Sequence, residues 1–331
     1  MEKIVLNSPL DMHLHLRDGD MLNAIGKYSF SQFSGGLVMP NILPPVTTKE
    51  DLESYRNRVL SAVANEPFKP YMSIFFKKEY DKEFLKSIRD DILVVKLYPS
   101  GATTNSEGGV VSINLDEVGD TLKAMEDLRI PLSIHGETLG DSFEREAEFI
   151  PTFELLAKSF PKLKIVMEHI SDHRTLGILD KYPNLFATVT LHHLTKTRDD
   201  LLGGSLNHHL FCKPILKRDI DRETIRDFVF SGHSKIMFGS DSAPHRPEAK
   251  MSGSAGVFSA PVLLEGLTTL FDNFGKLDLL QNFVSENAKR IYEINPPKRE
   301  IVLEKKEKNV QKLYGGVVPI FAGETLNWSI V

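Results

Sequence analysis

Cysteine is almost absent from the chain: one residue, Cys212, in 331. An internal disulfide is therefore excluded, and the fold must be held by its apolar core, as expected in a reducing compartment. Between Phe211 and Lys213, the thiol reads as buried and structural. Also missing is any uninterrupted apolar run of the roughly eighteen residues that a membrane span needs. The opening residues Met1-Glu2-Lys3-Ile4-Val5-Leu6-Asn7 carry neither an apolar signal core nor a small-residue cleavage site, so the expected location is the cytoplasm. Charge of one sign is scarce too, with 40 Lys and Arg against 45 Asp and Glu, a net charge of -5. That balance gives no reason to expect a nucleic acid or a membrane surface as partner, while a small anionic substrate could still be held by a few local cations. Internal repeats, low-complexity segments and interdomain linkers are lacking as well.

What is present is an ordinary globular composition, 41% hydrophobic and 26% charged, in a chain long enough to bury a large core. Short apolar runs at 10–16, 36–39, 71–76, 92–97, 132–135, 164–167, 185–189 and 236–239 read as eight strands. Most are continuous rather than alternating, as parallel strands covered on both faces should be. Amphipathic stretches at 49–64, 115–128, 152–159 and 222–230 fit helices between them. Eight strand-helix repeats predict an α/β fold, a (β/α)8 TIM-type barrel. We expect a single domain over 1–331, with the barrel at about 8–295 and a C-terminal extension at about 296–331 that packs back on it through Trp328. The charged run at 304–308 reads as solvated surface. Two longer interruptions, 99–111 and 201–216, read as loops, the first a mobile one over the barrel mouth.

In such a barrel the chemistry sits at the carboxyl ends of the strands. Those ends carry His13, His15 and Arg17 on the first strand, Asn41 after the second, Lys96 on the fourth, His135 on the fifth, His169 after the sixth and Asp241 after the eighth. On a strand, His13 and His15 share a face while Met12, Leu14 and Leu16 take the other. Alone that pair is ambiguous, but four histidines, an aspartate and a lysine on one rim point to metal. Imidazoles with few carboxylates and no thiolates favour zinc, with manganese, cobalt and iron left open. The ligands outnumber what one open catalytic site needs, which points to two ions. Lys96 lies within Ile92-Leu93-Val94-Val95-Lys96-Leu97, where a bare ammonium is costly. Either it snorkels or pairs with a buried acid, or its neutral amine takes up carbon dioxide as a carbamate able to bridge two cations; beside the histidines, the bridge is the better reading.

His13-Leu14-His15-Leu16-Arg17, Met39-Pro40-Asn41, Lys96-Leu97-Tyr98-Pro99, Ile134-His135-Gly136-Glu137, Glu168-His169-Ile170 and Gly239-Ser240-Asp241-Ser242-Ala243-Pro244-His245 resemble the ordered motifs of the amidohydrolase superfamily. More closely they resemble its shorter bacterial-type dihydroorotases, from residue 11 to about 256. The resemblance implies that His13, His15 and Asp241 bind one zinc, that His135 and His169 bind the other, and that carboxylated Lys96 and a hydroxide bridge the two. It implies Asp241 as the general base and acid. Arg17, Asn41 and His245 match positions that hold the substrate's carboxylate, as a guanidinium fork, an amide and an imidazole would. Ala255 and Lys213 match positions that contribute backbone atoms, although the spacing from Asp241 to Ala255 can be longer in the family. Thr103 and Thr104 match the tip of a substrate-covering loop. The implied reaction interconverts N-carbamoyl-L-aspartate and L-dihydroorotate in pyrimidine biosynthesis, and family analogy implies a homodimer. Rival readings are a hydantoinase- or allantoinase-like cyclic-amide hydrolase, and a non-catalytic homologue serving as a structural partner. The remaining histidines, His173, His192, His193, His208, His209 and His233, read as structural, with His192-His193 close enough to the rim to support it.

Overall fold

The computed structural model describes residues 2–102, 106, 108–110 and 113–331. Thr103 and Thr104 lie outside them. Eight strands form one parallel sheet in chain order: β2 (Leu10–Leu14), β3 (Gly35–Val38), β4 (Lys69–Phe75), β5 (Val94–Leu97), β6 (Leu132–Ile134), β7 (Ile165–Met167), β8 (Leu185–Val189) and β9 (Ile236–Phe238). The last returns to the first just beyond its end. Asp241 N–H donates to His13 O at 2.8 Å, His15 N–H donates to Ser242 O at 3.1 Å, and Leu14 bridges Ser242 in parallel. The ring thus closes through the backbone of three residues that sequence places in the site.

Helices cover the outside because their apolar residues fall on one face. In the helix Lys49–Val63 the buried residues are Leu52, Tyr55, Val59 and Val63, a spacing of three and four, and a Thr48–Asp51 capping box fixes its start. Asn114 caps Leu115–Leu128 through its side-chain oxygen, which accepts from the Asp116 N–H at 3.1 Å. The helix expected at 152–159 begins earlier, at Arg145, and runs through Pro151. That expected at 222–230 begins at Asp219. The segment 201–216 is more ordered than a loop, since the helix Arg198–Leu202 runs into it and a 3-10 turn spans His208–Leu210.

Inside the ring, Leu10, Met12, Leu37, Val94, Val166 and Met237 form an apolar floor against Ile291 and Tyr292. Lys96 and Glu168 lie two residues beyond Val94 and Val166, so they share the inward face one layer higher. The interior therefore changes from apolar to polar along the strands. The strict alternation expected over 12–16 is broken: Met12 joins the floor, whereas Leu14 and Leu16 join the main core. A register shift between Asp11 and Leu14 causes this. Gly239 has a packing reason, because a Cβ there would lie 2.9 Å from the His13 Cβ and 3.0 Å from the Thr188 Cβ.

A second sheet joins the two ends of the chain. β1 (Lys3–Asn7) pairs antiparallel with β10 (Glu300–Glu304), which pairs with β13 (Ser329–Ile330), while β11 (Lys308–Asn309) pairs with β12 (Thr325–Leu326). Trp328 is fully buried, and its indole N–H donates to Asp272 at 3.0 Å. Trp328→Ala is expected to cost about 3–5 kcal/mol. Denaturant unfolding would show this as a lower midpoint at an unchanged slope.

Candidate active site

The carboxyl ends of the barrel strands surround one pocket lined by His13, His15, Arg17, Asn41, Tyr98, His135, His169, Lys213, Asp241, Ala243, Ala255 and Gly256. His13, His15 and Asp241 each offer a ligand atom within 4.8 Å of the others. The His15 Nε2 lies 3.0 Å and the His13 Nε2 3.5 Å from Asp241 Oδ1. On its other side, His13 Nδ1 is 2.8 Å from the Glu168 carboxylate. Burial alone would raise the Glu168 carboxyl, but its partners, His13 first, with Lys96 and the Ser133 hydroxyl, more than offset it and keep it ionised. Burial lowers the His13 imidazole, so the ring is neutral. A neutral ring donating Nδ1–H to Glu168 turns the Nε2 lone pair toward the pocket, as a metal ligand requires.

His135 is oriented likewise. Its Nε2 lies 2.6 Å from the Glu137 carboxylate, which leaves Nδ1 facing His169 Nε2 at 3.1 Å. The His169 backbone N–H donates to the Thr188 hydroxyl at 2.7 Å. Three site residues, Arg17, His169 and Asp241, hold left-handed backbone at φ of 59, 40 and 44. Each costs on the order of 1–2 kcal/mol for a side chain with a Cβ, and clusters of this kind mark sites where side-chain direction matters more than local stability.

Lys96 is fully buried, and its amine finds no hydrogen-bond partner among the described residues. It sits 5.0 Å over the Tyr98 ring, and burial brings it down to about 8. An orphaned amine in this position is expensive as an ammonium and nucleophilic when neutral. Together with the imidazoles, it forms a donor set that fits a pair of zinc-class cations once the amine bears a carboxylate.

Across the pocket, Arg17 donates from Nε to Pro244 O at 3.2 Å, and its backbone carbonyl accepts from the Tyr55 hydroxyl at 2.8 Å. Its Nη2 lies 2.9 Å from His245 Nε2, which is also 3.0 Å from Ala255 O. One imidazole nitrogen cannot both accept from a guanidinium and donate to a carbonyl, so one of those contacts is spare. Burial drives His245 down to about 3, so the ring is neutral. Asn41 is buried beside His15 and hydrogen-bonds it.

The pocket thus gathers His13, His15, Arg17, Asn41, His135, His169, Lys213, Asp241 and Ala255, with Lys96 beneath and His245 behind Arg17. Sequence reasoning assigned nothing to Glu168, Glu137 and Tyr98, although each stands beside or two positions from an expected ligand. It also passed over Lys250. That buried amine donates to Phe211 O and Gly256 O, both at 2.7 Å, and so ties together the two segments that carry Lys213 and Ala255. It lies on the short helix Pro247–Met251, to which the sequence alone assigned no role.

A closed parallel barrel with imidazoles and an aspartate on its rim is an arrangement that suits a hydrolase, and the chain belongs to the amidohydrolase family, whose model matches residues 5–298. Within that family it falls among the dihydroorotases. The chain is 42% identical to the dihydroorotase of Helicobacter hepaticus, over 99% of this chain and 98% of that protein. A crystal structure of Campylobacter jejuni dihydroorotase superposes with a TM-score of 0.95 at 47% identity, covering 99% of this chain and 97% of that one. The Saccharomyces cerevisiae dihydroorotase in complex with 5-fluoroorotic acid gives a TM-score of 0.93 at 29% identity, covering 100% and 99%. Among the described residues, no helix is long and apolar enough to cross a membrane.

Proposed function

We propose that the protein catalyses the reversible cyclisation of N-carbamoyl-L-aspartate to L-dihydroorotate. The observation that carries this reading is the pairing of a metal-type donor set with a half-buried guanidinium in one pocket. His13, His15 and Asp241 would hold one zinc-class cation and His135 and His169 a second, with the carboxylated Lys96 shared between them. Those cations, when bound, supply Lewis acidity and an activated water at neutral pH.

Lys96 reaches its shared form by attack of the neutral amine on carbon dioxide, which makes one N–C bond and releases one proton. Asp241 moves the proton of the reaction. In hydrolysis it accepts the proton of the attacking water and delivers it to the departing ring nitrogen, and in cyclisation it runs the transfer backwards. Arg17 holds the substrate carboxylate with its fork, using the Nη2 that His245 leaves spare when its own Nε2–H points to Ala255. Asn41 adds an amide donor, and the Lys213 and Ala255 backbones flank the ring.

The rival reading as a hydantoinase or allantoinase leaves Arg17, Asn41 and His245 without the carboxylate they suit. A non-catalytic role leaves a costly donor set without a purpose. A metal analysis paired with turnover of carbamoyl-aspartate, hydantoin and allantoin tests the proposal. Faster turnover of either of the latter two, or none of the first with metal bound, would overturn it.

Arg17→Ala is expected to raise KM roughly 10–100-fold while kcat changes much less, the scale of a charge-assisted pair. Steady-state kinetics would separate the two constants, and an unchanged KM would remove Arg17 from substrate binding. Glu168→Gln keeps the size of the side chain but loses the ionised acceptor of His13. Its expected effect is a loss of about 10–100-fold in metal affinity, read by competition with a chromophoric chelator.

A further inference from the structure

A second cluster lies behind the pocket wall. His192, His193 and Cys212 each present a ligand atom within 4.8 Å of the others, and all three are buried. The two rings follow the strand β8 on the short helix Leu191–Thr195, with centroids 4.4 Å apart. Cys212 precedes Lys213, which lines the pocket.

The hydrogen bonding of the trio is uneven. His193 Nδ1 meets the Thr190 hydroxyl at 2.9 Å, and its Nε2 meets Pro214 O at 3.1 Å. Cys212 Sγ donates to the same carbonyl at 3.2 Å and lies 4.0 Å from His193 Nε2. His192 is 0% exposed, yet neither ring nitrogen has a hydrogen-bond partner among the described residues. A buried imidazole with both nitrogens unsatisfied is a rare arrangement that calls for an unseen partner.

We propose that His192, His193 and Cys212 bind a single thiophilic divalent cation of the zinc class, separate from the ions of the active-site pocket. The Pro214 carbonyl, on which two hydrogens now converge, is placed as a fourth donor. Bonds of about 2.0 Å to nitrogen or oxygen and 2.3 Å to sulfur give tetrahedral edges of roughly 3.3–3.6 Å. The present separations among Sγ, Nε2 and the carbonyl oxygen, 3.1 to 4.0 Å, bracket those edges. One thiolate and two imidazoles exclude hard cations such as magnesium and calcium and select zinc, cobalt or cadmium.

Binding balances simply. The thiol proton is released to solvent, and the His193 proton moves from Nε2 to Nδ1, where the Thr190 hydroxyl oxygen accepts it. A cation there would pin Cys212 and Pro214 to the helix, and with them the intervening backbone of Lys213.

The test uses the full chain, first loaded with its pocket metals and then titrated with cobalt(II), counting metal per chain and recording the near-ultraviolet thiolate-to-cobalt band. We expect native protein to take one ion more than Cys212→Ser, with the band absent from that variant. His192→Gln should keep the band but weaken binding at least tenfold. The difference of one ion is the measurement, so it stands apart from how many ions the active-site pocket takes. Equal counts in native protein and Cys212→Ser, or no thiolate band at cobalt saturation of the native chain, would overturn the proposal. Unchanged affinity in His192→Gln would overturn the three-ligand assignment even if Cys212→Ser did not fold.

Discussion

Asp241→Asn should lower kcat by roughly 10³–10⁴-fold in both directions while leaving KM and most of the bound metal in place. The substitution is close to ideal for the question. Asparagine has the same shape and tolerates left-handed backbone better than most residues, so φ of 44 remains accessible. The backbone N–H to His13 O that closes the barrel is untouched, and an amide oxygen can still face His15 Nε2, as Asp241 Oδ1 does at 3.0 Å. What is lost is the ability to take up a proton. Burial raises the Asp241 carboxyl above its ordinary value, against the pull of His13, His135 and Lys96. Initial rates of cyclisation and hydrolysis with a parallel metal count would decide the matter. A loss below about tenfold with metal retained would mean that another group carries the proton.

Lys96→Arg should be nearly as damaging, about 10³-fold in turnover, the kinetic equivalent of roughly 4 kcal/mol. Arginine keeps the positive charge and much of the length, but it stays protonated and cannot form a carbamate. Two roles for Lys96 are thereby separated. If Lys96 serves as a buried cation over the face of Tyr98, where its amine sits 5.0 Å from the ring, arginine preserves the function. If it serves as a carboxylate, activity and metal content fall together. Intact-mass measurement of the native protein under carbon dioxide should show one added carboxylate, and its absence in an active, metal-loaded sample would overturn the bridge.

Much of the site could be read because a parallel barrel turns strand ends into a single rim. His13, Lys96, His135, His169 and Asp241 are far apart in sequence, yet each stands within or just after the carboxyl half of an apolar run, and that position brought them together. Glu168 and Glu137 depend on something finer. Their role rests on which imidazole nitrogen each faces, and this is fixed by side-chain packing between neighbouring strands rather than by any local pattern. Lys250 was invisible for another reason. Its amine is buried by segments around Phe211 and Gly256 that local sequence cannot bring near it. The sheet of β1, β10 and β13 joins both chain ends through strands of two to five residues, too short to carry a periodic signal. The broken alternation after Asp11 reflects how β2 meets β3, a property of the pair and not of either strand.

The seam of the barrel carries a consequence for the life of the chain. His13 and Ser240 are 227 positions apart, and their contact belongs to the junction where the first and last strands meet. During synthesis the histidine pair emerges early and waits until about two-thirds of the chain has followed before Asp241 can reach it. No fragment lacking the final strand can hold the complete centre, whatever else of it has folded. Catalytic competence therefore reports completion of the whole ring, and a half-made chain is inert toward the substrate.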